Sequence, residues 1–351
     1  MKTPNVFDFA QSERAQDAVL AYMLSWASAE HAKKNSVLHR LGKRFLRALL
    51  KSTGKEPPEK IRKVVVKTQD ARVDVSVEVN GETLLLLEDK TETVRREGQI
   101  DEYVAAAKER GKSENLGWKD DVRPIYVKTG NESKRTRHAT EEKCREHGGG
   151  FFYRHHLLKV LKKHTGTGNQ IIEQFRAHLK SWEKDAKSYK TTPINEGWHW
   201  RAVQAYYLAL EEEDLDCEGW GMVNRAGAQA FWTNGSENKD KTCALYLQID
   251  GSKDLHIRCA ARPADGETRV TAEYREEMFA NVKKCLSQPE FSGIKINWKG
   301  RSGGRTATIA QATFDGKDTY MVLKEDGTVD LDATVVNLKK AEELIRASCN
   351  G

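Results

Sequence analysis

Three residues in the first third of the chain have the types and spacing of a divalent-metal site: Asp74, Glu88 and Lys90. Two carboxylates supply hard oxygen ligands for Mg²⁺ or Mn²⁺. Mg²⁺ keeps several of its waters and is held by one or two protein carboxylates together with substrate phosphate. A metal so held lowers the pKa of a bound water and neutralises charge building on a phosphate, and a nearby ammonium steadies the transition state. The chemistry this set suits is metal-assisted hydrolysis of a phosphodiester. In that scheme Asp74 and Glu88 are ligands and Lys90 is the cationic helper.

Strands must position these side chains. From Arg72 to Val79 the sequence alternates with period two, so Val73, Val75, Val77 and Val79 share one face while Asp74, Ser76 and Glu78 share the other. Asn80-Gly81 then marks a hairpin, and Leu84 to Leu87 is the pattern of a strand covered on both faces. That run ends in Glu88-Asp89-Lys90, with Glu88 and Lys90 pointing one way and Asp89 the other. Charges at the solvated end of an edge hairpin would look the same in isolation. The leucines argue instead for a buried central strand, where an uncompensated charge is expensive. After a polar link from Thr91 to Gly98, Gln99 to Lys108 predicts a helix with Ile100, Tyr103, Val104 and Ala107 on its apolar side. Gln99 and Tyr103 are four apart and share a face. Val122 to Val127 predicts a further strand, and the order strand, strand, helix, strand predicts a mixed α/β core.

The set Asp74, Glu88-Asp89-Lys90 and Gln99-x-x-x-Tyr103 resembles the PD-(D/E)XK nuclease superfamily, in its RecB-type branch with a Gln-x-x-x-Tyr helix. The stretch from Ser12 to Trp26 is similar to the opening helix of a bacterial group within that superfamily, as are Gly42 and the pair Phe45-Leu46 that follow. Glu13 matches the helix acid that lies beside the metal in the family. Gln16-Asp17 stands where relatives often carry His-Ser, which leaves both Glu13 and Asp17 as acids that could face the metal. Val73 precedes Asp74 in place of the proline of the motif. The match is specific over roughly the first third of the chain. It implies a restriction-endonuclease-like mixed sheet flanked by helices, Mg²⁺ or Mn²⁺ as cofactor, Glu13, Asp74 and Glu88 at the metal, and Gln99, Tyr103 and Lys90 in catalysis. It also implies nucleic acid as substrate, DNA favoured over RNA, and a role in defence against foreign DNA such as phage. A second copy of the chain, or a protein of the same defence system, is the expected partner.

Composition agrees with such an enzyme. The 351 residues carry 58 Lys and Arg against 52 Asp and Glu, a net charge of +6 that suits nucleic acid without requiring it. The six cysteines form no Cys-x-x-Cys pair, which argues against a zinc ribbon or a disulfide scaffold and for free thiols in the cytoplasm. No apolar run is long enough to span a membrane, and the N-terminus lacks a signal-peptide core. Basic residues are clustered. Lys33, Lys34, His39, Arg40, Lys43, Arg44, Arg47 and Lys51 accompany a helix with apolar positions Leu38, Leu41, Phe45, Leu46, Leu49 and Leu50. Lys134-Arg135-Thr136-Arg137-His138 is expected in a loop, and Arg154, His155, His156, Lys159, Lys162, Lys163 and His164 form a third group. Lys43, Arg44, Arg47, Lys134, Arg135 and Arg137 are the candidates for phosphate contact. The glycine-rich stretches Gly148-Gly149-Gly150 and Thr165 to Asn169 lack the context and lysine of a P-loop and are expected to be loops.

Beyond residue 150 the pattern is helical and then β-rich. Phe151 to His164, Asn169 to Trp182 and Trp198 to Glu212 predict helices. Ala228 to Trp232, Cys243 to Ile249, Leu255 to Cys259 and Ile294 to Trp298 predict strands, with turns at Asp250-Gly251 and Asp326-Gly327. Helices at Glu273 to Leu286 and Leu338 to Ala347 complete it. A polar stretch from Lys187 to Asn195 separates a nuclease-like core, 1–190, from an α+β C-terminal region, 191–351, suited to binding substrate or a partner. The competing reading is a nucleic-acid- or partner-binding protein with a vestigial nuclease core.

Overall fold

The computed structural model describes residues 4–9, 13–163, 168–213, 215–223, 229–238, 241–251, 254–261, 269–300 and 304–350. Ser12, His164, Thr165 to Thr167 and Ala228, which carry expectations above, lie outside these residues. Within them the fold is mixed α/β. It has nine α-helices, a five-stranded mixed sheet, a seven-stranded antiparallel sheet and a short two-stranded one. The chain divides into two compact units, Met1–Asn131 with Thr136–Lys184, and Glu132–Arg135 with Asp185–Gly351.

The first unit contains α1 (Glu13–Ser25), α2 (Ser36–Ser52), β1 (Val64–Asp70), β2 (Val73–Val79), β3 (Thr83–Lys90), α3 (Gln99–Ser113), β4 (Val122–Lys128), α4 (Lys134–Glu146, its first two residues counted with the second unit), β5 (Gly150–Tyr153), α5 (Arg154–Lys162) and most of α6 (Gln170–Lys187). Asn80 and Gly81 both take left-handed backbone angles, φ 55° and 76°, in a three-residue turn, Asn80 to Glu82, that joins paired Val79 and Thr83. The turn sets the β2–β3 register, with Val75 opposite Leu87 and Val77 opposite Leu85. The sheet order is β1-β2-β3-β4-β5, antiparallel up to β3 and parallel from there on. One face carries Val75, Val77, Val79, Leu85 and Leu87 into a core shared with α1, α2, α5 and α6. The other carries Leu84 and Leu86 against Ile100 and Val104 of α3 and Cys144 of α4, and Val73, expected beside Val75, packs here instead, at the far end of β2. The six apolar positions expected on α2 are all buried. Gly42 lets α2 cross α1 closely, since a Cβ there would sit 2.5 Å from the Met23 carbonyl oxygen.

Several expectations are corrected. Val64–Asp70 is a strand, and so is Gly150–Tyr153, where a glycine loop and a helix start were expected. Lys134 to His138 opens helix α4 and is no loop; α4 buries only Thr140, Glu141 and Cys144, so its sequence has no apolar stripe to announce it.

The second unit contains α7 (Trp200–Glu212), β6 (Cys217–Met222), β7 (Gln229–Thr233), β8 (Ser236–Glu237), β9 (Cys243–Asp250), β10 (Asp254–Ala261), α8 (Ala272–Cys285), β11 (Ile294–Trp298), β12 (Thr306–Phe314), β13 (Val322–Leu323), β14 (Val329–Asp330) and α9 (Leu331–Asn350). Its large sheet runs β11-β12-β10-β9-β7-β6, with β8 on β9. Asp250-Gly251 joins β9 to β10, and Asp326-Gly327 joins β13 to β14, as expected. Strands β6 and β12 were not foreseen, and α9 begins at Leu331 instead of Leu338. Tyr206, Tyr207 and Tyr320 lie in its core, where packing accounts for them. All six cysteines are free thiols. No helix among the described residues is long and apolar enough to cross a membrane.

Candidate metal centre

Because Val75 pairs with Leu87, Asp74 falls opposite Glu88, and both follow the alternation that points Leu84 and Leu86 towards α3. The Asp89 backbone N–H donates to Asp74 Oδ2 at 2.9 Å, which fixes the Asp74 carboxylate against the end of β3. Lys90 lies among the acids. Its ammonium pairs with Glu88, stands 3.5 Å from Asp74 Oδ2 and 3.9 Å from Glu13 Oε2, and donates to the Asp89 carbonyl at 2.9 Å. The sequence-predicted trio therefore meets in one place, with Glu13 at its border.

Glu88 is only 3 % exposed, and neither of its oxygens has a well-aligned hydrogen bond. Burial, and then the Asp74 charge, pushes its carboxyl up to about 7 against the pull of Lys90 and Gln99. Burial by itself would lower Lys90. The bond and charge of Glu88, then Asp74 and Glu13, outweigh that and hold the ammonium above its usual range. Glu13 is only half-buried; burial raises its carboxyl, yet the Thr91 backbone N–H at 2.9 Å, the Thr93 hydroxyl at 2.8 Å and Lys90 keep it below the usual range. From the start of α3, Gln99 donates to the Tyr103 hydroxyl at 2.6 Å and accepts the Arg96 backbone N–H at 3.0 Å. The two motif residues thus brace each other beside Glu88.

Asp89 faces α1, as the alternation predicts, and is wholly buried. Gln16 donates to its Oδ1 at 2.6 Å and accepts from the Thr129 hydroxyl at 2.9 Å. Asp17 lies against it. Burial, then Asp74, pushes Asp17 up to about 6, and burial, then Asp17, raises Asp89 well above the usual carboxylate range. Gln69 reaches both Asp17 Oδ2, at 3.4 Å, and Asp74 Oδ1, at 3.5 Å. Glu13 and Asp17 therefore border the centre from different sides, one through Lys90 and one through Gln69 and Asp89.

Among the described residues no group of three or more His, Cys, Asp or Glu is gathered as a cage for a metal. The donors present are two facing carboxylates, one of them buried with oxygens that lack aligned donors. That set fits a hard cation that keeps much of its water, with Asp74 and Glu88 as the residues that would hold it.

Reading the sequence missed Asp17 as a partner of Asp89, and also Gln69, Thr91, Thr93 and Lys128. Lys128 is the register partner of Lys90 on β4, is buried, and donates to the Thr93 carbonyl at 2.5 Å, which steadies the segment that holds Glu13. A lysine at the end of Ile125-Tyr126-Val127 carries the same signal as Glu88 after its leucines.

The basic candidates do not form one surface. Lys43, Arg44 and Arg47 lie on α2, and Arg137 lies on α4, against the opposite face of the sheet. Within the second unit, Lys134 pairs with Glu212 at 3.0 Å and Arg135 with Glu218 at 3.2 Å, so both charges are already balanced by acids. Arg154, expected in a basic cluster, is buried on Glu183 at 3.0 Å and Asn131 at 3.0 Å and holds the fold. Compared with protein-family models, with curated proteins and with solved structures, the chain matches none of them.

Proposed function

We propose that this protein is a divalent-metal-dependent nuclease of the PD-(D/E)XK type, with a restriction-endonuclease-like core, that hydrolyses phosphodiester bonds of nucleic acid, DNA in preference to RNA. The observation that carries this reading is Lys90 standing among Asp74, Glu88 and Glu13, with Glu88 buried and its oxygens short of aligned donors. The order of elements supports it, since a helix layer, three antiparallel strands, a helix and two parallel strands build the layout that the resemblance implies. When bound, the metal supplies a water of lowered pKa and a positive charge near the scissile phosphate. Asp74 and Glu88 would hold it. Lys90 then exchanges its carboxylates for the phosphate, where its charge opposes the negative charge that builds during attack. Gln99 and Tyr103 keep Glu88 in place. A cytoplasmic role in defence against foreign DNA, with a second copy or a partner protein, follows from the resemblance alone.

Incubation with supercoiled, linear and single-stranded DNA and with RNA, in Mg²⁺, Mn²⁺ or EDTA, tests the reading. Cleavage of DNA that requires the metal and fails with Asp74→Ala is expected. Binding of all four substrates without cleavage of any would favour the vestigial-core alternative.

A further inference from the structure

Two basic clusters more than a hundred residues apart in sequence converge on one cavity in the first unit. It measures about 380 Å³ and lies between α2, the edge strand β5 and α5, within the range of small-ligand sites. Arg44 and Lys51 reach it from one face of α2, Lys159 from α5, and Lys163 from the residue that caps the end of α5. None of these four makes an ion pair among the described residues, and no acid lines the cavity. Four unbalanced cations around one space repel each other and favour an anion between them. Its lining is otherwise apolar and aromatic, with Ala48, Val160, Phe152 and the edge of Phe151, whose ring also carries the Arg145 guanidinium at 4.9 Å. His156 completes it; its Nδ1 accepts the Tyr153 backbone N–H at 3.0 Å, which puts the ring proton on Nε2. Burial, and then His155 and Lys159, lowers His156 to about 4, so the ring is a neutral hydrogen-bond donor and a flat apolar surface at neutral pH.

We propose that this cavity binds a nucleoside phosphate, its phosphate among the lysines and arginine and its base against the Phe151 and His156 rings. Inorganic phosphate would leave the aromatic lining unused, and an uncharged base would leave the cations unpaired. The same chemistry is offered by a free mononucleotide and by the 5′-phosphorylated end of a nucleic-acid chain. The cavity shares no residue with the carboxylate centre, so this proposal stands or falls apart from the nuclease reading.

Calorimetry of the full chain in EDTA at low salt tests it with AMP, adenosine, inorganic phosphate, and a short oligonucleotide with and without a 5′-phosphate. AMP or the phosphorylated oligonucleotide should bind at least tenfold more tightly than adenosine, phosphate or the unphosphorylated chain. Whichever of the two binds more tightly identifies the source. Lys51→Ala/Lys159→Ala, both at exposed positions, should weaken that binding at least tenfold without changing the melting temperature. Phe151→Ala should weaken AMP and leave phosphate unchanged, and Asp74→Ala/Glu88→Ala should leave both unchanged. Equal affinity for AMP and phosphate, no binding of AMP or the phosphorylated oligonucleotide at millimolar concentration, or wild-type binding by the double lysine variant would overturn the assignment.

Discussion

Lys90 has two tasks, and they separate by experiment. In the metal-free protein it compensates Glu88 and Asp74, which would otherwise face each other half out of water. Breaking a buried pair from one side leaves the other charge unpaired, at a cost of about 3–5 kcal/mol where no relief is available. Lys90→Ala should therefore melt lower than wild type in EDTA, and Mn²⁺ should raise its melting temperature more than it raises that of wild type. Identical melting curves would remove Lys90 from this balance. During attack on the phosphate its task is electrostatic, so the same variant should lose at least a hundredfold in cleavage rate with metal saturating. Arginine should rescue poorly, because a planar fork does not replace a compact point charge. The ligands have a simpler signature. Titration calorimetry should show Mn²⁺ bound to wild type and not to Asp74→Ala/Glu88→Ala, and equal heats from both would take these acids out of the centre.

At the scale of elements, the close crossing of α1 and α2 depends on Gly42. A Cβ at this position would meet the Met23 carbonyl oxygen and the Ala27 nitrogen, which are backbone atoms and cannot swing aside. Gly42→Ala should cost about 1–3 kcal/mol by urea denaturation, although alanine is the better helix former; an unchanged midpoint would mean the helices separate freely. The elements that build the metal centre were legible because their signals are local. Asn80-Gly81 fixes the hairpin, period two fixes its faces, and leucines on both faces of β3 mark it as central. Other elements hid for identifiable reasons. β1 is an edge strand, and it turns polar after Val66, where Lys67 to Gln69 are exposed. β5 is four residues long and runs directly into α5, so Phe151 to Lys162 reads as one helical stretch. α4 buries almost nothing apolar, and the buried positions Ala307, Ile309, Ala310 and Ala312 of β12 are mostly small and break the period of two after Ile309. The contacts of Asp89 with Gln16 and Asp17 span more than seventy positions, and no local pattern encodes them.

For the molecule as a whole, each unit carries an acid kept away from water, and the second offers a test of folding energetics apart from the metal centre. Glu342 on α9 is buried with Arg346 at 3.8 Å and accepts the Asp216 backbone N–H at 3.2 Å. Burial outweighs both partners and pushes its carboxyl from 4.5 up to about 7. The folded state therefore holds a proton that the unfolded chain releases, so this group's contribution is fully present below pH 4.5 and is lost as pH rises to 7. The loss is on the order of 3 kcal/mol. Glu342→Gln should melt higher than wild type at pH 8 and no higher at pH 5, as read by scanning calorimetry; the same pH dependence in both proteins would contradict this. The claim that joins the whole is that the acids and lysine at the end of β3 cleave phosphodiesters with a divalent metal. Its most direct measurement is the single-turnover rate on a fluorescent DNA duplex under saturating Mg²⁺, for wild type beside Glu88→Ala and Lys90→Ala prepared identically. Metal-dependent cleavage by the wild type, with each variant at least a hundredfold slower, is the predicted result. Equal rates for all three proteins, or no cleavage by the wild type, would contradict it.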